Sequence, residues 1–135
     1  MSSNASKRVP SQLKARILLV DDDASVRRSL VRLLRAHDYD VVEAEDAATA
    51  LQILADVHPA VVVMDMVMPG QDPLSAARKI KREPRTAAVP IIALTASPPN
   101  GPDCSLFADV LPKPSDAEAL LAAIERAIAR ALPNS

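Results

Sequence analysis

The chain has 135 residues and near-even charge, with 16 Lys plus Arg against 17 Asp plus Glu and a net charge of −1. This length suits one domain, and a hydrophobic content of 49% argues against wholesale disorder. Tyr39 and Phe107 are the only aromatic residues, which excludes base-stacking platforms for single-stranded nucleic acid. The small net charge gives no general attraction to DNA or to anionic lipid.

The cellular location is indicated by cysteine usage and by the lack of long apolar runs. The single Cys104 cannot form an intramolecular disulfide or a thiolate zinc cluster, which fits a reducing cytosol. No apolar run approaches the ~20 residues needed to cross a bilayer, and the polar N-terminal segment lacks the apolar core of a signal peptide. We expect a cytoplasmic protein without a membrane partner, with tails over 1–15 and 133–135 and one domain over 16–132.

Short apolar runs alternate with helical patterns from the start of this domain. The first half predicts a strand at 17–20, a helix capped by Asp23, a strand at 39–44, a helix capped by Asp46 and a strand at 60–64. The second half predicts a helix from Asp72-Pro73 to about Glu83, strands at 89–94 and 109–111, and a last helix with a Ser115–Glu118 capping box. This alternation, with uniformly apolar strands, predicts an α/β domain with a parallel sheet covered on both faces.

Polar residues follow four of the predicted strands at the point where each strand ends: Asp21 to Asp23, Asp65, Thr95 and Lys113. In open parallel sheets, groups beyond the carboxyl ends of the strands meet at one edge, where ligands bind. Two carboxylates ~4 Å apart repel each other by about 1 kcal/mol in water and more inside a protein. A Mg²⁺ ion would offset this repulsion, since it binds carboxylates and substrate phosphates. With Lys113 as a fixed positive charge, the set predicts phosphoryl chemistry.

Each of these residues alone has a simpler explanation. An Asp run often caps a helix, a Thr often ends a strand because of its β-propensity, and a Lys before Pro is usually a surface residue. Their shared position at the predicted strand ends favours the functional interpretation.

Four segments of the chain resemble the receiver domain of two-component response regulators. They are 17–23, 62–70, 90–96 and 113–114, and the resemblance covers about residues 16–132. It implies a doubly wound, five-stranded parallel sheet of the flavodoxin-like or CheY-like type, with strand order 2-1-3-4-5.

The resemblance also implies a role for each acidic residue. Asp65 would be the phosphoacceptor, taking a phosphoryl group from the phosphohistidine of a histidine kinase or of a histidine phosphotransfer protein. Asp22 would bind Mg²⁺ directly and Asp21 largely through water, while Asp65 and the Val67 carbonyl would complete the protein ligands.

Two further residues would complete the site by the same resemblance. Lys113 would pair with a phosphoryl oxygen, and Thr95 would hydrogen-bond the phosphoryl group and so report its presence. The peptide bond between Lys113 and Pro114 is expected to be cis.

The chain departs from the family pattern in three places. Three prolines and a glycine over 96–104 exclude a regular helix before the last strand, so the fourth helix is expected to be shortened or missing, with at most about one turn near 103–107. Val110 stands where the family has Tyr or Phe, and core packing is the favoured role for Phe107. Pro73 replaces a common glycine, and a proline at the first helical turn should cost nothing.

We therefore expect a stand-alone response regulator that signals through contacts with a protein effector and is not an enzyme. Since no second domain follows Leu132, nucleic acid is not an expected partner. Two alternatives stay open: a pseudo-receiver used only for docking or dimerisation, and an aspartyl-phosphate hydrolase. A hydrolase would need an acid/base two residues after its nucleophile, and this chain has Val67 there.

Overall fold

A computed structural model of the protein describes residues 13–96, 101–113 and 116–131. The strands within these ranges are β1 Ala15–Val20, β2 Tyr39–Ala44, β3 Val61–Asp65, β4 Ile91–Leu94 and β5 Asp109–Leu111. The helices are α1 Ala24–Ala36, α2 Ala47–Asp56, α3 Pro73–Arg82 and α4 Ala117–Ala131, with a 3₁₀ helix at Gly101–Leu106. No helix in the described part of the chain has the length and apolar character to span a bilayer.

The five strands form one parallel sheet in the order β2-β1-β3-β4-β5. This confirms the predicted fold class and strand order. The carboxyl ends of all five strands consequently lie at one edge of the sheet, and the order reverses between β1 and β3, where such folds bind their ligands.

Side chains along each strand alternate between two apolar clusters, one on each face of the sheet. Ile17 and Leu19 pack into the cluster formed with α1 and α4, whereas Leu18 and Val20 pack into the cluster formed with α2 and α3. All four side chains are fully buried. Helices therefore cover both faces, which explains why the strands lack a polar side.

Three of the described helices, α1, α2 and α3, begin at their predicted capping residues. The side chains of three aspartates accept hydrogen bonds from the first-turn N–H groups of α1, α2 and α3: Asp23, Asp46 and Asp72. At α4 the Asp116 carboxylate accepts a hydrogen bond from the Ala119 N–H at 3.0 Å. The predicted cap is a Ser115–Glu118 capping box, so the cap at Asp116 differs from the prediction, because α4 begins only at Ala117. Ser115 itself lies outside the described residues, as do Pro114 and both chain ends.

Three predicted strand boundaries differ from the structure. β1 begins at Ala15 rather than at Ile17, because Ala15 and Arg16 already pair with β2. β4 begins at Ile91 rather than at Val89, because the Val89 N–H donates to the Thr86 carbonyl in a turn and leaves the sheet. β3 runs from Val61 to Asp65, so the predicted strand at 60–64 is one residue early.

In the part of the segment between β4 and β5 that the structure describes, no regular α-helix forms, which confirms the predicted loss of a regular fourth helix there. The six-residue 3₁₀ helix is longer and begins earlier than the single turn predicted near 103–107, and α4 follows β5 instead. An ion pair of 3.0 Å between Arg78 Nη2 on α3 and Asp103 Oδ1 connects this 3₁₀ helix to α3. Phe107 is buried in the α2/α3 cluster, as its expected packing role requires, and Val110 packs against the same cluster.

Candidate functional site

The sheet brings three carboxylates together at the carboxyl ends of β1 and β3. Val20 pairs with Met64, so Asp21 and Asp65 follow neighbouring positions in adjacent strands. The side chains of Asp21, Asp22 and Asp65 each offer an oxygen atom within 4.8 Å of the others. Asp21 and Asp65 are buried, whereas Asp22 is exposed to solvent.

Lys113 reaches this cluster from the end of β5. Its Nζ lies 3.1 Å from Asp65 Oδ2 and 3.9 Å from Asp21 Oδ2. The Lys113 side chain is 27% exposed, whereas its two partners are almost fully buried. The electrostatic attraction between a positive charge and buried carboxylates is stronger than that in a surface ion pair, since less water screens the charges.

Asp65 has both carboxylate oxygens oriented by neighbouring groups. Oδ1 accepts a hydrogen bond of 2.9 Å from the Val67 N–H, which leaves Oδ2 facing Lys113. The Val67 side chain is 53% exposed at the rim of the site. That the Val67 carbonyl binds a metal ion stays a prediction.

Thr95 lies at the same edge of the sheet. It directly follows Leu94, the residue of β4 that pairs with Asp65, and it is buried. Its N–H donates to the Leu111 carbonyl at 3.0 Å, which continues the ladder toward β5. The predicted contact of its hydroxyl with a phosphoryl group stays a prediction.

Asp21 is the electrostatically strained member of the cluster. Oδ1 accepts a hydrogen bond of 2.9 Å from the Asp23 N–H, while the buried Oδ2 has no hydrogen-bond partner in the described part of the chain. Burial raises the pKa of the Asp21 carboxyl; the Asp23 N–H and Lys113 oppose this shift, and the negative charges of Asp65 and Asp22 add to it. A buried oxygen without a hydrogen bond, facing two further carboxylates, is a donor set that fits Mg²⁺.

We expect Asp21→Asn to raise the free energy of unfolding by roughly 1 kcal/mol at pH 7 in the presence of EDTA. Because the folded-state pKa lies above the ordinary value of 3.8, the unfolded chain releases the proton first as pH rises. The wild type therefore loses stability above about pH 4, and the difference between the two proteins should vanish below that pH. Urea titrations at several pH values measure the free energies of unfolding of both proteins. A variant less stable than the wild type at pH 7 would contradict the view that the buried Asp21 carboxylate destabilises the fold.

Two side chains that no sequence motif singled out, those of Gln71 and Arg27, support the site. Gln71 Oε1 accepts a hydrogen bond from the Ala47 N–H at 2.8 Å, which ties the loop after β3 to the start of α2. Gly70 has a φ of +77° in the turn that positions Gln71, a conformation that favours glycine. Arg27, which an amphipathic pattern places on the polar side of α1, donates to the backbone carbonyl of Asp21.

Comparisons with known proteins agree with this geometry. The family described as response regulator receiver domain matches residues 17–125. Protein PilH of Pseudomonas aeruginosa is 33% identical over 119 residues, which is 85% of this chain and 98% of PilH. Response regulator PleD of Caulobacter vibrioides is 36% identical over 116 residues, which is 83% of this chain and 26% of PleD. The chain thus spans between a quarter and about half of the length of several relatives.

Solved structures show the same likeness. The receiver domain of a sensor histidine kinase from Pseudomonas aeruginosa, described with a magnesium ion coordinated in its active-site cleft, superposes with a TM-score of 0.76 at 30% identity. The match covers 85% of this chain and 98% of that domain. The chain therefore belongs to the response regulator receiver domain family of two-component signalling.

Proposed function

We propose that this chain carries a phosphoryl group on Asp65, received from the phosphohistidine of a histidine kinase or a histidine phosphotransfer protein. An Asp65 oxygen forms the new bond to phosphorus, the bond from phosphorus to the histidine nitrogen breaks, and its electron pair stays on the imidazole ring. The observation that carries the proposal is the position of Asp65 Oδ2, buried, 3.1 Å from Lys113 Nζ and beside two other carboxylates.

The residues around Asp65 suit this transfer, in which positioning and charge neutralisation do most of the work. Asp21, Asp22 and Asp65, with the Val67 carbonyl, would hold Mg²⁺, which when bound supplies positive charge to the phosphoryl oxygens. Lys113 stabilises negative charge on another phosphoryl oxygen. The Val67 N–H keeps one carboxylate oxygen of Asp65 fixed, so that the other is free to react.

Incubation with acetyl phosphate, a donor that needs no partner protein, tests the proposal. Intact mass spectrometry should show a single phosphoryl adduct that requires Mg²⁺ and is absent in EDTA, and peptide mapping should locate it on Asp65. A protein that stays unmodified with Mg²⁺ present would instead support the pseudo-receiver used only for docking or dimerisation.

We infer that the chain is not a hydrolase, because no acid/base group stands two residues after Asp65. Val67 is apolar and exposed at that position, so it cannot orient an attacking water. Val67→Asn should shorten the half-life of the phosphorylated protein by about tenfold, since the amide can orient an attacking water through a hydrogen bond worth about 1 kcal/mol. Decay of the adduct after removal of acetyl phosphate measures the half-life. Val67→Leu is the control, and equal half-lives for all three proteins would contradict the inference.

We propose that the phosphorylated chain signals in the cytoplasm through contacts with a protein effector, using the segment at 96–108. Thr95 directly precedes this segment. The contacts of the segment with the rest of the domain include the half-exposed ion pair between Asp103 and Arg78 on α3. With Val110 in place of an aromatic residue, a coupled aromatic switch cannot operate there. Phosphorylation should therefore move the segment as a whole.

A fluoroberyllate mimic of the phosphoryl group should change amide hydrogen exchange across 96–108 more than elsewhere. Asp103→Asn weakens the ion pair with Arg78, so the segment should exchange faster in that variant even without the mimic. Unchanged exchange across 96–108 on addition of the mimic to the wild type would rule out this output mechanism.

A further inference from the structure

We infer that Arg27 is a positioning residue for the Mg²⁺ site: its guanidinium fixes the backbone of Asp21 and thereby the direction of the Asp21 carboxylate. The inference rests on the proposed function, since it assumes that the aspartate cluster binds Mg²⁺. It adds a residue of α1 that is no metal ligand itself.

The contacts of Arg27 connect three elements at the edge of the sheet. Nη1 donates to the Asp21 carbonyl oxygen at 2.7 Å, and Nε donates to Glu43 Oε1 on β2 at 3.1 Å. The Arg27 side chain is 17% exposed. With two donors bonded and little of its side chain exposed, the planar guanidinium is held in one orientation.

Asp21 lies one residue beyond the end of β1, so its orientation depends on contacts outside that strand. Its N–H donates to the Ala44 carbonyl at 3.1 Å, and Arg27 binds its carbonyl on the other side. Together they fix the peptide groups on both sides of the Asp21 side chain. Rotation of the second peptide would break the bond to Arg27 and displace the Asp23 N–H, whose 2.9 Å hydrogen bond to Oδ1 orients the Asp21 carboxylate.

A second arginine provides a matched control for the alternative that Arg27 only joins β1 to β2. Arg16 Nε contacts Asp40 Oδ2 at 2.6 Å and also joins β1 to β2, but at the amino ends of the strands, away from the aspartates. Exposed ion pairs of this kind contribute about 0–1 kcal/mol. If Arg27 were a strand-joining contact only, Arg16→Ala and Arg27→Ala should behave alike toward Mg²⁺.

The experiment is an NMR titration of ¹⁵N-labelled protein with Mg²⁺, with melting temperatures measured in parallel. Arg27→Ala should bind Mg²⁺ about tenfold more weakly than the wild type, the usual effect of losing a group that orients a metal ligand. Arg27→Lys should recover part of this loss, because an ammonium can still donate to the Asp21 carbonyl. Arg16→Ala should bind Mg²⁺ like the wild type.

Glu43→Ala is the second variant, for the case that Arg27→Ala does not fold. It keeps the Arg27 charge but removes its anchor on β2, so Mg²⁺ binding should again weaken. Wild-type affinity in folded Arg27→Ala, or in Glu43→Ala where Arg27→Ala is unfolded, would overturn the inference and leave the proposed function intact. A wild type that does not bind Mg²⁺ would overturn both.

Discussion

Substitution of Asp65 by alanine should abolish the phosphoryl adduct completely. The Asp65 carboxylate is the buried oxygen donor that Lys113 approaches to 3.1 Å, and alanine offers no oxygen to form the bond to phosphorus. Intact mass spectrometry after incubation with acetyl phosphate and Mg²⁺ measures the loss. Because the reaction needs no partner protein, the result separates the acceptor role of Asp65 from any role in docking.

Asp65→Asn is the matched control for folding. Its amide oxygen can still accept the hydrogen bond from the Val67 N–H, so the loop after β3 should keep its conformation. Both variants should lack the adduct while unfolding cooperatively. An adduct that persisted at full stoichiometry would show that another carboxylate accepts the group, and the exposed Asp22 of the same cluster would be the first to test.

Replacement of Lys113 by alanine should slow phosphorylation by about 100-fold, the typical effect of removing one preorganised group that stabilises developing charge. The same change should strengthen Mg²⁺ binding, because a positive charge 3.1 Å from Asp65 and 3.9 Å from Asp21 repels a cation. The rate of adduct formation and an NMR titration with Mg²⁺ measure the two effects.

These opposite directions distinguish a direct role of Lys113 from general damage to the site, which would weaken metal binding and slow phosphorylation together. Lys113→Arg keeps the charge with a different shape, so its rate should fall between those of the wild type and Lys113→Ala. A rate for Lys113→Ala equal to that of the wild type would contradict the proposed role.

The fold could be predicted because local patterns and global topology agree in this chain. β2 and β5 lie where their apolar patterns place them, and aspartates mark the starts of α1, α2 and α3. The convergence of Asp21, Asp22, Asp65 and Lys113 followed from one rule, that the carboxyl ends of parallel strands share an edge.

The contacts that refine the site could not be predicted in the same way. The bonds from Arg27 to Asp21 and from Gln71 to Ala47 depend on how long side chains fold across neighbouring elements, which periodicity does not encode. An Arg on the polar side of a helix is normally a solvated residue, so its sequence position carried no signal. The ion pair between Arg78 and Asp103 depends on the path of an irregular segment. The prolines in that segment show that it is not a regular helix, but they do not predict its position relative to α3.

The 3₁₀ helix before β5 affects which partner proteins can recognise this domain. A cell with several related receivers must prevent each from responding to a partner meant for another. A partner that recognises a regular helix at this place would find, in the part of the segment that the structure describes, six residues of 3₁₀ helix followed by the buried Phe107. We therefore expect the shape of this segment alone to oppose binding of such a partner, before any difference in surface charge takes effect.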